Sequence, residues 1–168
     1  SIREPRPGEL WIGCRNGLLH GVDGRWRRYG RKDGLRDDWV GALACGRKGE
    51  VWVSYHGALG ITRLRLEGDR LATEHWNRSS GLGGELVYSL FFDSLGRLWS
   101  AGDRGAGVYD GKIWRYYDRD DGLVWDDCDT GSWYADSDGS VWIGTSAGIS
   151  HYRPPAAAPP SVPPRGRH

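Results

Sequence analysis

The sequence predicts an all-β protein assembled from a repeated sheet unit, and three observations support this. A tryptophan motif recurs four times in 168 residues, apolar side chains alternate with a period of two, and the prolines are confined to the two ends of the chain. Period-two alternation is typical of half-buried β-strands. Because proline is excluded from central strands, the long proline-free interval fits a chain that is mostly paired sheet.

The repeat carries three marks in a fixed order. The first mark is a glycine with a tryptophan three residues after it. Successive tryptophans of this mark are separated by 41, 47 and 43 residues. The second mark is a glycine and a hydrophobic residue, and the third is a Gly-Leu pair preceded by an aromatic residue. The marks begin at Gly8, Gly49, Gly96 and Gly139; at Gly17, Gly60, Gly107 and Gly148; and at Gly34, Gly81 and Gly122.

Each period holds four short strand candidates, which in the second repeat lie near 40–45, 50–55, 60–66 and 71–76. No window sustains the apolar spacing of an amphipathic helix over three turns. Asp-containing turns that end in glycine, at 93–96 and 136–139, suit tight hairpins. Four antiparallel strands in a period of 40 to 50 residues are typical of a β-propeller blade.

The domain organisation follows from this period. Residues 1–7 form an incomplete lead-in, four blades lie near 8–39, 40–86, 87–131 and 132–152, and 153–168 is a proline-rich linker or tail. The prediction is a fragment of about four blades, two complete and two partial. Because closed propellers remove their exposed sheet edges, we expect the remaining blades of a larger ring, or a dimer, to cover the ends.

The chain resembles the two-component regulator propeller repeats of bacterial sensor proteins. Their pattern runs from a D-x-x-G turn through L-W-I-G-T and G-L/I to an aromatic-ended strand and a G-L loop. Residues 136–149, DSDGSVWIGTSAGI, match it almost letter for letter. The stretch 93–99 matches through the turn and then departs at Ser100. In the second repeat Arg47 replaces the turn aspartate, and Ser54 replaces the motif glycine.

This resemblance implies a function and a location. It implies a ligand-sensing, non-catalytic module, the periplasmic input domain of a membrane-anchored sensor kinase or sensor diguanylate cyclase. A downstream β-sandwich, a membrane span and a signalling output domain are the partners that it implies. The ligand expected is a small polar or saccharide-like solute.

The composition and the residue spacing argue against several other classes of protein. The formal net charge of +1 lacks the basic excess of a nucleic-acid-binding protein. No apolar run approaches the roughly 18 residues of a membrane span. The three cysteines and five histidines show no metal-ligand spacing, and no cofactor fingerprint is present. We therefore expect neither a metal nor a cofactor.

Candidate binding residues lie in loops that a propeller brings to one rim of its central channel, where ligands commonly bind. The tryptophan that recurs at the same place in each blade is expected to have a structural role instead, because a large ring fills the wedge between neighbouring blades. These residues are Trp11, Trp52, Trp99 and Trp142. The rim candidates are Arg36, Asp37, Asp38, Trp39, Tyr55, His56, Glu85, Asp103, Arg104, Trp125, Asp126, Asp127 and Asp129.

Two alternative functions stay open at the level of sequence. Propeller lyases and glycoside-active enzymes place catalytic groups on the same face, and the adjacent acids at 37–38 and 126–127 could suggest a carboxylate pair. Adjacent loop residues usually point apart, which weakens that interpretation. The other alternative is a protein-binding scaffold without a small ligand.

Overall fold

The computed structural model describes residues 1–155, and in that part of the chain it contains only β-strands, three short 3-10 turns and their connections. The strands form four antiparallel sheets, called here the first to fourth blades, in which each strand pairs with its neighbour in sequence. The strands are β1 (Ile2–Arg6), β2 (Glu9–Cys14), β3 (Gly17–Val22) and β4 (Arg25–Tyr29); β5 (Val40–Cys45), β6 (Val51–Tyr55), β7 (Ile61–Glu67) and β8 (Arg70–Trp76); β9 (Val87–Phe92), β10 (Leu98–Gly102), β11 (Gly105–Tyr109) and β12 (Trp114–Tyr117); and β13 (Cys128–Ala135), β14 (Val141–Thr145) and β15 (Gly148–Tyr152).

The blades pack face to face in chain order. β2 lies against β5, β6 against β9, and β10 against β13. Buried side chains between consecutive blades form three hydrophobic cores. The predicted all-β propeller architecture is confirmed, and the four strands expected in the second repeat are observed within one residue of their predicted bounds.

The predicted count of two complete and two partial blades is wrong. Within residues 1–155 three blades have four strands and the fourth has three. The first blade is complete because Ile2–Arg6 pairs with β2 although Pro5 lies in it. The register shifts between Arg3 and Arg6, so Pro5 occupies an irregular stretch where a residue without an N–H is tolerated.

The last predicted blade begins earlier than expected. Its first strand starts at Cys128 rather than at 132, and its register shifts between Cys128 and Trp133. An irregularity of this kind interrupts the period-two alternation on which the prediction depended. Of the predicted proline-rich segment 153–168, the part from 156 onward lies outside the described residues.

The repeated tryptophan lies on the face that each blade presents to the next one. Trp11, Trp52 and Trp99 are 2%, 2% and 0% exposed, because each packs into the core shared with the following blade. Trp142 occupies the same position in the fourth blade but is 42% exposed. The difference arises because, within residues 1–155, no sheet follows the fourth blade.

Two apolar faces therefore stay uncovered in the described arc. The terminal face belongs to the fourth blade and includes Tyr134, Trp142 and Ile149, all exposed. The leading face belongs to the first blade and includes Ile2, which pairs with Ile12 as Leu43 pairs with Val53 in the second blade. Leu43 and Val53 help to bury Trp11 of the preceding blade. The leading face therefore has an apolar pair at the same place as the pair that buries Trp11.

The second sequence mark of the third blade is Gly105-Ala106 and not the predicted Gly107-Val108. Gly105 pairs with Gly102 at the β10–β11 turn, as Gly17 pairs with Cys14 in the first blade. Ala106 is fully buried there. Three small residues in a row, Gly105 to Gly107, left the alignment of this mark ambiguous. A second alignment also needs correction, because Gly46 and not Arg47 takes the turn-aspartate position.

We expect Gly105→Ala to destabilise the protein more than Gly111→Ala. Both glycines have a φ near +100°, a conformation that disfavours any side chain by about 1–2 kcal/mol. A Cβ at Gly105 would also lie 2.2 Å from the carbonyl oxygen of Tyr117, whereas a Cβ at Gly111 would meet nothing within 4 Å. Urea unfolding of both variants measures the difference in the free energy of unfolding. Equal losses of this free energy in the two variants would contradict the clash with the carbonyl oxygen.

Candidate functional site

The first strands of the four blades surround a central cavity of about 760 Å³. Polar and aromatic side chains mix on its wall. Arg3 comes from β1, His56 follows β6, Tyr88 lies on β9 and Trp133 on β13. Trp133 stacks on Phe91 with ring centroids 4.0 Å apart, which fixes that part of the wall. Burial raises the pKa of Tyr88, so its phenol is neutral and can donate a hydrogen bond near pH 7.

The three connections between blades share one plan, and three candidate carboxylates belong to it. In each connection a 3-10 turn begins at an arginine, and the acid seven residues later accepts a hydrogen bond from the backbone N–H of that arginine. These carboxylates therefore stabilise the connections. The donor and acceptor pairs are Arg31 and Asp38 at 2.9 Å, Arg78 and Glu85 at 3.2 Å, and Arg119 and Asp126 at 2.9 Å.

Two further candidate carboxylates also bind nearby protein groups. Asp37 accepts a hydrogen bond from the backbone N–H of Trp39 at 3.0 Å and lies 3.4 Å from the Arg31 guanidinium. Asp127 accepts a hydrogen bond from the Ser146 hydroxyl at 2.8 Å. Asp37 and Asp38 both bind Arg31, through its guanidinium and its backbone N–H, whereas Asp126 and Asp127 bind different residues. All four carboxylates are thus engaged by nearby protein groups, which does not favour a shared carboxylate site.

Tyr55 is almost completely buried, although its side chain contributes to the cavity wall. Its hydroxyl accepts from the backbone N–H of Arg36 at 3.0 Å and lies 2.7 Å from the Thr62 hydroxyl. Thr62 in turn lies 2.8 Å from Nδ1 of His75. Burial, with a smaller effect of the Arg36 charge, lowers the pKa of His75. The neutral imidazole can then accept a hydrogen bond from Thr62. In the resulting series of hydrogen bonds, the hydroxyls of Tyr55 and Thr62 each have a donor and an acceptor as partners.

Trp39 and His56 are brought together on the rim. Their rings stack with centroids 3.6 Å apart and an interplanar angle of 9°. The guanidinium of Arg15 lies 4.3 Å from the Trp39 ring centroid, which makes a three-layer stack. Arg15 was not among the candidates, because it precedes Trp39 by most of a blade and no local pattern links the two.

The other candidates lie on the third blade and the connection that follows it. Trp125 is exposed, and the Arg119 guanidinium lies 4.4 Å from its ring centroid. Asp103 and Arg104 are exposed in the β10–β11 turn. Asp129 is exposed at the start of β13. The structure does not bring these residues into the Arg15–Trp39–His56 stack.

The titratable and metal-ligating groups of residues 1–155 form no group of three or more that could hold a metal ion. All three cysteines of the chain are free thiols. Burial raises the pKa of both Cys45 and Cys128 to about 11, so these thiols are protonated and unreactive near pH 7. Over the same residues no helix has the length and apolar character needed to span a bilayer.

Comparison with known proteins identifies similar folds. No family model matches the chain, and no curated protein is similar to it in sequence. The extracellular domain named for the hybrid two-component system BT3049 of B. thetaiotaomicron is similar with a TM-score of 0.75 and 19% identity, over 92% of this chain and 21% of that one. PorZ, a surface component of the type-IX secretion system of Porphyromonas gingivalis, has a TM-score of 0.63 and 20% identity, over 90% and 24%.

Virginiamycin B lyase of Staphylococcus aureus is also similar, with a TM-score of 0.61 and 13% identity, over 94% of this chain and 56% of the lyase. At these identities the likeness concerns the fold. The resemblance to the propeller repeats of two-component sensors is confirmed at that level, since the extracellular domain of one such system has this arrangement. The chain spans about a fifth of the length of that domain.

Proposed function

We propose that the chain is an arc of a ligand-binding β-propeller in the extracytoplasmic part of a bacterial sensor protein. The observation that carries the proposal is the central cavity, where Arg3, His56, Tyr88 and Trp133 surround about 760 Å³. Aromatic walls with a few polar groups suit a small polar or saccharide-like solute. The likeness in fold to the extracellular domain of a hybrid two-component system supports the sensory role.

The uncovered faces support membership in a larger ring. In the three described interfaces a blade tryptophan is buried by the following sheet, and Trp142 has the same position with 42% of its surface exposed. A further blade on the terminal face would bury it as Trp11, Trp52 and Trp99 are buried. The remaining blades would also close the channel around the ligand.

Signalling in this proposal requires no chemistry by the propeller itself. The ligand would bind one arrangement of blades or subunits more tightly than another, and that difference in affinity shifts their populations. The shift would pass through the segment 153–168 to a β-sandwich, a membrane span and a kinase or diguanylate cyclase. The location that follows is the periplasm, with the output domain across the membrane.

The test is a calorimetric titration of the protein with a panel of neutral mono- and oligosaccharides. Tyr88→Ala is expected to weaken binding of any positive solute by about tenfold or more, because it removes an aromatic wall of the cavity. Tyr134→Ala is the matched control, since Tyr134 is exposed on the terminal face. Absence of binding by the wild type, or equal losses in both variants, would overturn the proposal.

A lyase-like enzyme is the second candidate, and one observation favours it. His56 and Tyr88 line the same cavity and could move protons there, in a fold shared with virginiamycin B lyase. The enzyme hypothesis requires turnover of virginiamycin B or a saccharide by the wild type, together with its loss in His56→Ala. A wild type that binds solutes without converting them would support the sensor.

A further inference from the structure

We infer that a cleft beside the β2–β3 turn of the first blade binds an anionic group of a ligand. The cleft has a volume of about 560 Å³ and lies between the β2–β3 turn and the start of the connection to the second blade. It is separate from the central cavity, so the inference does not depend on the sensory role. Its polar side chains are Arg15, Asn16, Arg28, Arg31, Lys32 and Asp38.

The cleft concentrates positive charge. Four cationic side chains and one carboxylate give it a formal charge of +3, whereas the whole chain has +1. The carboxylate of Asp38 already accepts from the Arg31 backbone N–H. The guanidinium of Arg31 is paired with Asp37 at 3.4 Å, so the cleft cations without a carboxylate partner among the described residues are Arg15, Arg28 and Lys32. Like charges that line one cleft repel one another unless an anion joins them.

The fold itself does not require this charge. Arg31 has counterparts in the other two connections, Arg78 and Arg119, and belongs to their common plan. Arg28 and Lys32 do not recur as cations. Their counterparts, from the strand registers and the 3-10 turns, are His75 and Ser79 in the second blade and Tyr116 and Asp120 in the third.

The side chains of the cleft also have the chemistry that binds an oxyanion. Arg15 stacks on Trp39, 4.3 Å from the ring centroid, and this contact restricts where its guanidinium can lie. An arginine fork can bind two oxygens of a carboxylate, sulfate or phosphate, and lysine adds a point charge. The amide of Asn16 can donate to a neutral hydroxyl beside the charged group. The ligand class is therefore a small molecule that carries one of these three oxyanions, such as an acidic sugar.

The test is a titration at low ionic strength with three probes: trigalacturonate, a sulfated disaccharide and inorganic phosphate. These arms distinguish carboxylate, sulfate ester and free phosphate as the source of the charge. The double variant Arg28→Gln/Lys32→Gln is expected to weaken binding of the preferred probe by roughly tenfold or more, since two charge-assisted contacts are lost. Raising the salt concentration should weaken the wild type more than the variant.

The matched control is Arg70→Gln/Arg115→Gln, which removes the same charge from exposed outer-strand positions of the second and third blades. It is expected to bind within about twofold of the wild type, because it leaves the cleft intact. An equal loss of affinity in both double variants would show that only the net charge of the protein matters, and this would overturn the proposed site. Failure of all three probes to bind would overturn it as well. Neutral-saccharide binding in the central cavity should be unchanged in Arg28→Gln/Lys32→Gln, which separates this result from the proposed sensory role.

Discussion

Trp99→Ala is expected to lower the free energy of unfolding by about 3–5 kcal/mol, the usual cost of truncating a buried tryptophan. Trp99 is fully buried between the third and fourth blades. Its indole Nε1 donates to Oδ2 of Asp93 at 2.8 Å, and its ring lies 5.0 Å from that of Tyr152 in the next blade. The substitution therefore opens a cavity in an interface and leaves a buried carboxylate with one donor fewer.

Trp142→Ala is the matched control, because the same residue type occupies the same strand position in the fourth blade. Its ring stacks on His151 at 3.8 Å but is 42% exposed on the terminal face. We expect a loss of about 1 kcal/mol or less. Urea unfolding followed by far-ultraviolet circular dichroism gives both values. Similar losses for the two variants would contradict the packing order of the blades.

The sequence predicts this fold well because each interface repeats the same physical requirement. A large ring must fill the wedge between blades, so tryptophan recurs at a blade-length period and the turns recur with it. The prediction failed where local chemistry deviates from the repeat. β1 contains Pro5 in an irregular stretch, and β13 has a shifted register before Trp133. Neither feature leaves a period-two pattern that could be found in the sequence.

The candidate site was harder to predict, because one residue type serves two purposes in the same loops. Asp38, Glu85 and Asp126 combine charge with nearby aromatic residues, as a binding residue would, yet each accepts from a backbone N–H of its own connection. A signal was available, since an acid follows an arginine by seven residues in all three connections. A spacing shared by every repeat indicates a role in the fold, and a departure from the repeat indicates function.

By that criterion Arg28 and Lys32 of the anion cleft are candidates for a functional role. Arg28 and Lys32 are cationic only in the first blade, and Arg15 meets Trp39 only through tertiary structure. The chain Tyr55–Thr62–His75 likewise joins three strands. Contacts between residues that are distant in sequence leave no local spacing to detect, so they became visible only in the folded chain.

Asp93 is the most heavily bonded carboxylate at a described blade interface, and its substitution should have an effect as large as that of Trp99. Its side chain is fully buried. Oδ1 accepts from the backbone N–H groups of Leu95 and Arg97 at 3.0 and 2.9 Å. Oδ2 accepts from Nε of Arg97 at 2.7 Å and from Nε1 of Trp99 at 2.8 Å.

Asp93→Asn is expected to cost about 3–5 kcal/mol, because it leaves the Arg97 cation without its buried counter-charge. If the asparagine oxygen keeps the two backbone bonds, its NH₂ group faces two other donors, Arg97 Nε and Trp99 Nε1. Arg97 also donates to the carbonyl oxygen of Gly139 and to the Tyr152 hydroxyl in the fourth blade. The loss should therefore loosen the contact between the third and fourth blades as well as the turn.

Asp136→Asn provides the control, since Asp136 begins the corresponding turn of the fourth blade and accepts from the backbone N–H of Ser137 at 2.7 Å. An asparagine oxygen can accept that bond, so we expect a loss of about 1 kcal/mol or less. Urea unfolding at low and high salt measures both variants. The Asp93 effect should persist at high salt because a buried pair is weakly screened. A loss that disappears in salt, or equals that of Asp136→Asn, would show that the ion pair contributes little to the interface.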